Sequence, residues 1–346
     1  LNPSPDKTSI LVTGGTGFVG SYLLRYLVNT GYTNIRATKR SSSAMDLVAP
    51  VQDQIEWVEA DLLDVPALED AMEGITQVYH CAALISFSPK DVSKMMTINQ
   101  KGTENVVNIA LHKGIKKLVH VSSIAALGRN QESNIVSEKD KWERHKQNSN
   151  YSISKYLAEQ EVWRGMAEGL QVAIVNPAVI LGAGRWNEGP LKLFGLVWKN
   201  FPFYPKGVSG FVDVRDVARF MIQVMESDIS GERFILSSEN LSFKGLQEDI
   251  ASELNRNKPS ILVSPFIQEV AWRLERLRGF FLPNHDPLIT RETAAHSSKQ
   301  FHYSNDKSKQ FLSFSYIPIQ QTIQETSKLF LEASKNNFSS KFLDLY

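Results

Sequence analysis

Tyr151 and Lys155 stand four positions apart in Tyr151-Ser-Ile-Ser-Lys155. On a helix this spacing puts a phenol and an ammonium on one face, in reach of one substrate atom. A nearby ammonium favours the phenolate and lowers a tyrosine pKa that is otherwise about 10. Such a pair is equipped to move a proton to or from a carbonyl or alcohol oxygen. Spacing alone does not select it, because Tyr303-Ser-Asn-Asp-Lys307 repeats it. Surroundings separate the two. A helix is expected over 149–164, downstream of Val119-His-Val-Ser-Ser123, whose hydroxyls close a strand and offer a hydrogen bond to a substrate oxygen. Tyr303 lies among Ser, Asn and Asp and reads as a turn.

Thr13-Gly-Gly-Thr-Gly-Phe-Val-Gly20 holds two glycine spacings at once, Gly15, Gly17, Gly20 and Gly14, Gly17, Gly20. Either is a strand-to-helix turn in which backbone approaches a pyrophosphate and the helix N-terminus supplies N–H donors. The next strand, Ile35-Arg-Ala-Thr-Lys-Arg40, ends without a carboxylate for a ribose 2'-hydroxyl. Arg40, helped by Lys39, is placed for a 2'-phosphate, or the two are solvated cations at a strand end. NADP is the expected cofactor, with NAD the alternative. Asp61, at the tip of a third strand, is either an acceptor for the adenine amino group or a turn residue. His80-Cys-Ala-Ala83 closes a fourth, where Ala82 and Ala83 are small enough to admit a ribose and His80 and Cys81 read as packed strand residues. No second Cys or His lies at ligand spacing, so no metal is expected.

The elements that must position these residues alternate regularly. Candidate strands over 8–13, 33–39, 54–60, 77–82, 117–122 and 171–175 are separated by helical stretches, the longest over 91–113. Repeated βα units of this kind imply an α/β fold, a Rossmann-like doubly wound parallel sheet with ligands at the carboxyl ends of its strands. Beyond Asn176-Pro177 the pattern breaks, and regularity resumes with a helix start at Asp213-Val-Arg-Asp216 and a strand at 232–236. Two domains are expected. Residues 1–180, with 211–238 returning to them, bind the dinucleotide; 181–210 and 239–346 form a smaller, mainly helical substrate domain.

Trp186, Phe194, Trp198, Phe201, Phe203 and Tyr204 suit an apolar or ring-shaped ligand, or are that domain's core. Arg185, Lys192 and Lys199 would equally suit the diphosphate of a nucleotide sugar. Residues 266–283 are amphipathic, with Arg273, Arg276 and Arg278 among apolar residues, and read as a packed helix before a membrane-touching one.

Thirty-eight basic against 37 acidic residues in 346 leave a net charge of +1, which gives no electrostatic case for nucleic acid. No run of about 18 apolar residues suggests a membrane span. The lone Cys81 has no partner for an internal disulfide, so a cytoplasmic location and a small-molecule substrate are expected.

Taken together, Gly14-Gly-Thr-Gly17-Phe-Val-Gly20, Asp61-Leu62, His80-Cys-Ala-Ala83, Asn99-Gln-Lys-Gly102-Thr103, Val121-Ser-Ser123, Tyr151-Ser-Ile-Ser-Lys155, Asn176-Pro177 and Val212-Asp-Val-Arg-Asp-Val-Ala218 resemble the extended short-chain dehydrogenase/reductase family of NAD-dependent epimerase/dehydratase type. The likeness is greatest to dihydroflavonol-reductase-like and 3β-hydroxysteroid-dehydrogenase-like members. It implies Tyr151 as general acid/base, Lys155 as the residue that lowers its pKa and holds the nicotinamide ribose, and Ser123, five positions before Gly128, as the catalytic hydroxyl. It further implies cofactor contacts from Gly14, Gly17, Phe18, Val19, Arg40, Asp61, Leu62, Ala82, Ala83, Tyr151, Lys155, Pro177 and Val179, a mainly structural Asn99, and a homodimer. Asn176 departs from it, since many members carry Arg there. The implied reaction is NAD(P)-dependent hydride transfer at a carbonyl or alcohol carbon. A nucleotide-sugar epimerase or dehydratase is the alternative, and a non-catalytic cofactor sensor is disfavoured by the Tyr151/Lys155 pair.

Overall fold

The computed structural model describes residues 8–129, 134–145, 148–264 and 297–346, with Ile267, Glu269, Trp272 and Arg273 between the last two. Apart from those four, the amphipathic stretch 266–283 lies outside the described residues. Strands are β1 (Ile10–Thr13), β2 (Ile35–Lys39), β3 (Glu56–Glu59), β4 (Gln77–His80), β5 (Lys117–Val121), β6 (Ile135–Val136) and β7 (Gln171–Pro177). They continue with β8 (Val179–Leu181), β9 (Phe203–Tyr204), β10 (Val208–Asp213), β11 (Glu232–Leu236), β12 (Glu239–Ser242), β13 (Ile261–Leu262) and β14 (His302–Tyr303). Helices are α1 (Phe18–Asn29), α2 (Val65–Ala71), α3 (Val92–Met96), α4 (Gly102–His112), α5 (Asn150–Ala167), α6 (Lys192–Trp198), α7 (Val214–Glu226), α8 (Phe243–Glu253), α9 (Asp306–Leu312) and α10 (Ile319–Ser334).

Seven strands form one sheet in the order β11-β7-β5-β4-β1-β2-β3, and every pairing in it is parallel. A sheet covered on both faces needs strands that are apolar throughout, and all four residues of β1 are buried. Successive side chains point to opposite faces. Ile10 and Val12 join the cluster that includes Leu23, Leu27 and Phe211, while Leu11 joins Val78, Val106, Leu118 and Val172. The chain runs outward in both directions from β1 and β4. The crevice beyond their carboxyl ends is therefore the topological switch point, where open α/β sheets hold ligands.

Side-chain caps set the helix starts that matter. Ser149 accepts a hydrogen bond from the Ser152 amide at 3.0 Å and opens α5, and Asp213 accepts one from the Arg215 amide at 2.8 Å and opens α7. Helix α7 packs on α1, and β11 follows it back to the sheet edge. A second sheet joins β8 parallel to β10 and β10 antiparallel to β12. The region beyond 239 carries short strands as well as helices. Tyr303 is no turn residue: it lies in β14, 4% exposed and paired with β6, and its amide donates to Asn240 at 2.8 Å. Lys307, four residues on, bonds Glu232 and the Arg233 carbonyl at 2.8 Å, so the repeated Tyr/Lys spacing forms no site.

Candidate active site

Gly14 adopts φ +69°, and a Cβ on it would lie 2.7 Å from the Ala82 backbone. Only glycine fits such a position, so the turn after β1 touches the chain leaving β4. Gly20 packs the helix onto the same turn, since a Cβ there would meet the Gly14 carbonyl oxygen at 2.2 Å. Of the two glycine spacings, the structure puts Gly14 and Gly17 on the crevice and turns Gly15 toward Leu24 and Ala37. Gly17 caps α1 without a side-chain hydrogen bond, which leaves the first N–H groups of the helix unclaimed by any cap.

A cavity of about 180 Å³ occupies this place, lined among others by Gly14, Gly17, Arg40, Asp61, Leu62, Ala82 and Ala83. Thr16, Thr38, Lys39, Ser43, Ala60, Cys81, Leu84 and Ile98 line it too. A glycine cradle, an uncapped helix terminus and a cationic strand end together fit the pyrophosphate and adenosine half of a dinucleotide. Asp61 is a turn residue, its carboxylate accepting from the Leu63 amide at 3.0 Å, and it also lines the cavity. Ser43 escaped the sequence reading. Its hydroxyl accepts from the Arg40 amide at 3.0 Å and its amide donates to the Arg40 carbonyl at 2.9 Å, a closed turn that the serine run after Arg40 signals. Phe18, Val19, Pro177 and Val179 lie outside the lining. The Phe18 ring backs the glycines at 182 and 184, while Pro177 ends β7 and Val179 begins β8.

Leu84, which lines this cavity, is tied through the Asn99 amide to Ser154, between Tyr151 and Lys155 on α5. Cys81 lines the cavity too, and burial pushes its thiol up to about 12 against the pull of Lys155. The Ser123 hydroxyl lies close enough to the Tyr151 phenol to favour its ionised form, and it accepts from the Ala125 amide at 3.1 Å. Ser122 turns the other way, donating to buried Glu159 at 2.7 Å. Lys155 is 2% exposed and donates to the Val121 carbonyl at 2.8 Å. Burial pushes it down to about 8, against the opposing pull of Glu159. Burial raises the Tyr151 phenol, and Ser123 opposes that rise.

The loop after β4 roofs this group. The Phe87 ring stands edge-on to Tyr151, centroids 5.6 Å apart at 60°. Asn99 anchors the loop from within a π-helical turn, Thr97–Lys101, that joins α3 to α4. Its amide accepts from the Leu84 N–H at 2.7 Å and donates to the Leu84 carbonyl at 2.9 Å and to Ser154 at 3.0 Å. His80 is fully buried between the hydroxyls of Thr13, at 2.7 Å, and Thr103, at 3.0 Å.

Three of the six aromatic residues after Pro177 are core rather than ligand surface. Trp186, Phe194 and Trp198 all pack on Phe330 of α10. Phe201, Phe203 and Tyr204 stay partly exposed on and before β9. Arg185 is committed as well: it pairs with Asp46 at 2.5 Å and donates to the carbonyls of Thr16 at 3.3 Å and Ala44 at 3.0 Å. Among the described residues no group of three His, Cys, Asp or Glu could hold a metal ion, and no helix is long and apolar enough to cross a membrane.

The sheet, the glycine turn at its switch point and the adjoining Ser/Tyr/Lys group define a dinucleotide-dependent enzyme of the extended short-chain dehydrogenase/reductase class. Residues 10–236 match the model of the NAD dependent epimerase/dehydratase family, and the chain belongs to it. It is 29% identical over 323 residues to a putative dihydroflavonol 4-reductase of Synechocystis sp., covering 91% of this chain and 92% of that one. It is 30% identical over 286 residues to sterol demethylase protein B of Methylococcus capsulatus, covering 80% and 84%. Its fold matches a dTDP-glucose 4,6-dehydratase from Streptomyces venezuelae solved with NAD, at 18% identity and a TM-score of 0.78, over 95% of this chain and 98% of that one.

Proposed function

We propose that the protein is an NADP-preferring reductase or dehydrogenase that acts on an apolar carbonyl or alcohol with net redox turnover. The observation that carries the reading is the end of β2. Lys39, Arg40 and the closed Arg40–Ser43 turn border the cavity there with two cations and a hydroxyl, and β2 itself, Ile35-Arg-Ala-Thr-Lys39, has no acid. Arg185 supports the apolar substrate, because its pairing with Asp46 commits one of the three cations offered for a sugar diphosphate. The relatives named for a dihydroflavonol and a sterol point the same way. Residues 1–180 with 211–238 would hold the dinucleotide, and 181–210 with 239–346 the substrate.

A nicotinamide dinucleotide, when bound, supplies or takes up the hydride. Tyr151 exchanges the proton on the substrate oxygen, and Ser123, beside the phenol, would turn its single O–H from the phenol to that same oxygen. Lys155 has three N–H donors and spends one on Val121, which leaves two for a ribose hydroxyl and for the phenol side. Phe87 keeps water from the Tyr151 ring face. The test is to offer purified protein NADPH or NADH with a panel of aromatic and alicyclic ketones, aldehydes and nucleotide sugars. Stoichiometric loss of NADPH absorbance with a ketone or aldehyde is expected; product from a nucleotide sugar with no net loss would overturn the reading.

A further inference from the structure

Three successive residues at the end of β5 are each tied to a different buried polar group. The Val121 carbonyl accepts from Lys155 at 2.8 Å, the Ser122 hydroxyl donates to Glu159 at 2.7 Å, and the Ser123 carbonyl accepts from the Asn176 amide at 3.0 Å. The same Asn176 amide also donates to Glu159 at 2.9 Å. Glu159 is 0% exposed and lies one helical turn beyond Lys155 on α5. Its charge is met from a neighbouring strand by Arg233 of β11, at 3.0 Å, and Trp163 donates to it at 3.3 Å.

We propose that Glu159 is a positioning residue of this enzyme: through Ser122 and Asn176 it fixes the strand end whose Val121 carbonyl holds Lys155 and whose Ser123 belongs to the proton-transfer group, and from one helical turn away it favours the Lys155 ammonium. The inference rests on the roles given above to Ser123 and Lys155. A buried carboxylate is costly unless every oxygen is bonded, and here the donors come from the residue after β5, from β7, from β11 and from α5 itself. Such a knot is stiffer than any single bond, because four elements must shift together to break it. Asn176 gives the arrangement its form. An amide there can reach both the Ser123 carbonyl and Glu159, and the guanidinium that balances the acid sits at 233.

Against burial, Glu159 on its own helix and Cys81 just past β4 favour the Lys155 ammonium, while the buried His80 and His120 rings feel its charge and Tyr151 shares its helix. Glu159 is the one carboxylate among them. Removing its charge should therefore favour the neutral amine, whereas removing Arg233 should leave that charge unshared and favour the ammonium. Opposite responses to two substitutions in one knot are not what a merely structural role produces.

The experiment reads Lys155 directly in the full chain, by competitive labelling with acetic anhydride and peptide mass spectrometry across neutral and alkaline pH. It needs no substrate, so it stands even if the carbonyl panel fails. Glu159→Gln is expected to lower the labelling midpoint of Lys155 by about one pH unit, and Arg233→Met to raise it. Hydrogen exchange of the peptide spanning Val121 to Ala126 is expected to quicken in Glu159→Gln. Midpoints that stay put, or that move in the same direction in both variants, overturn the proposal for Lys155. Unchanged exchange overturns it for Ser123. Should Glu159→Gln fail to fold by circular dichroism, Arg233→Met decides alone: a raised midpoint supports the proposal and an unmoved one overturns it.

Discussion

Phe87 stands edge-on against Tyr151, with ring centroids 5.6 Å apart and planes inclined at 60°. The contact belongs to the ring and not to the hydroxyl. Tyr151→Phe should therefore keep the packing of loop and helix while removing the exchangeable proton. Turnover is expected to fall about 10²- to 10⁴-fold, with dinucleotide binding within a few-fold of the parent. Steady-state rates and a fluorescence titration of NADPH check this, and turnover near the parent level would remove Tyr151 from the mechanism.

Adjacent serines should separate function from stability. Ser123 faces the phenol and Ser122 faces Glu159. Ser123→Ala is expected to slow turnover about 10-fold or more while losing only about 1 kcal/mol of stability, that of its bond to the Ala125 amide. Ser122→Ala should keep the proton-transfer groups and lose about 1–3 kcal/mol of stability, because a buried carboxylate oxygen loses a donor. Urea unfolding and initial rates, measured on both variants, should show the effects on opposite axes.

Cofactor choice should follow one side chain. Arg40→Ala is expected to weaken NADPH about 10-fold or more and leave NADH nearly unchanged, since only NADPH carries the 2'-phosphate. Ser43→Ala should act in the same direction more weakly, by loosening the turn that closes on Arg40. Parallel binding titrations with the two dinucleotides decide it. Equal losses for both would mean that Arg40 serves fold or general charge.

Acid should destabilise the fold through two histidines. His80 and His120 lie side by side on neighbouring strands, ring centroids 5.0 Å apart, and both are buried. Burial, and then the Lys155 charge, pushes His80 down to about 3, and the same causes push His120 far below its ordinary value. The unfolded chain takes up protons near pH 6.5 while the folded one does not. Stability is therefore full above about pH 6.5 and falls below it, by about 1.4 kcal/mol per pH unit for each histidine, until the folded pKa is reached. His120 has neither ring nitrogen hydrogen-bonded, so His120→Leu should flatten this acid limb at little cost near neutrality. Denaturant melts at several pH values measure both.

Much of the site was legible in the sequence because its parts are local. The glycine turn, the Ser pair and the Tyr151/Lys155 spacing each lie within a few residues of one strand end or helix start. Tyr303 misled because its local signal, Ser304-Asn-Asp306, belongs to the turn that begins just after it; its pairing with β6, far back in the chain, leaves no local trace. Glu159 was invisible for the same reason. On α5 it reads as one more helix charge, and only the approach of Arg233 and Asn176 from β11 and β7 shows that it is sealed. The aromatic run after Pro177 was ambiguous until Phe330 of α10 arrived to pack against half of it.

The π-helical turn at Thr97–Lys101 gives α3 and α4 different phases about a common axis. A regular helix advances about 100° per residue, so one extra residue in a turn offsets everything before it by that angle. Met95 is buried on one side of this offset and Val106 and Val107 on the other. Deleting a single residue between them would restore ideal winding and swing α3, with the roof loop behind it, out of register with the sheet. The shape of the chamber over Tyr151 is thus set by an angular offset in a helix that carries none of the Ser123, Tyr151 and Lys155 group.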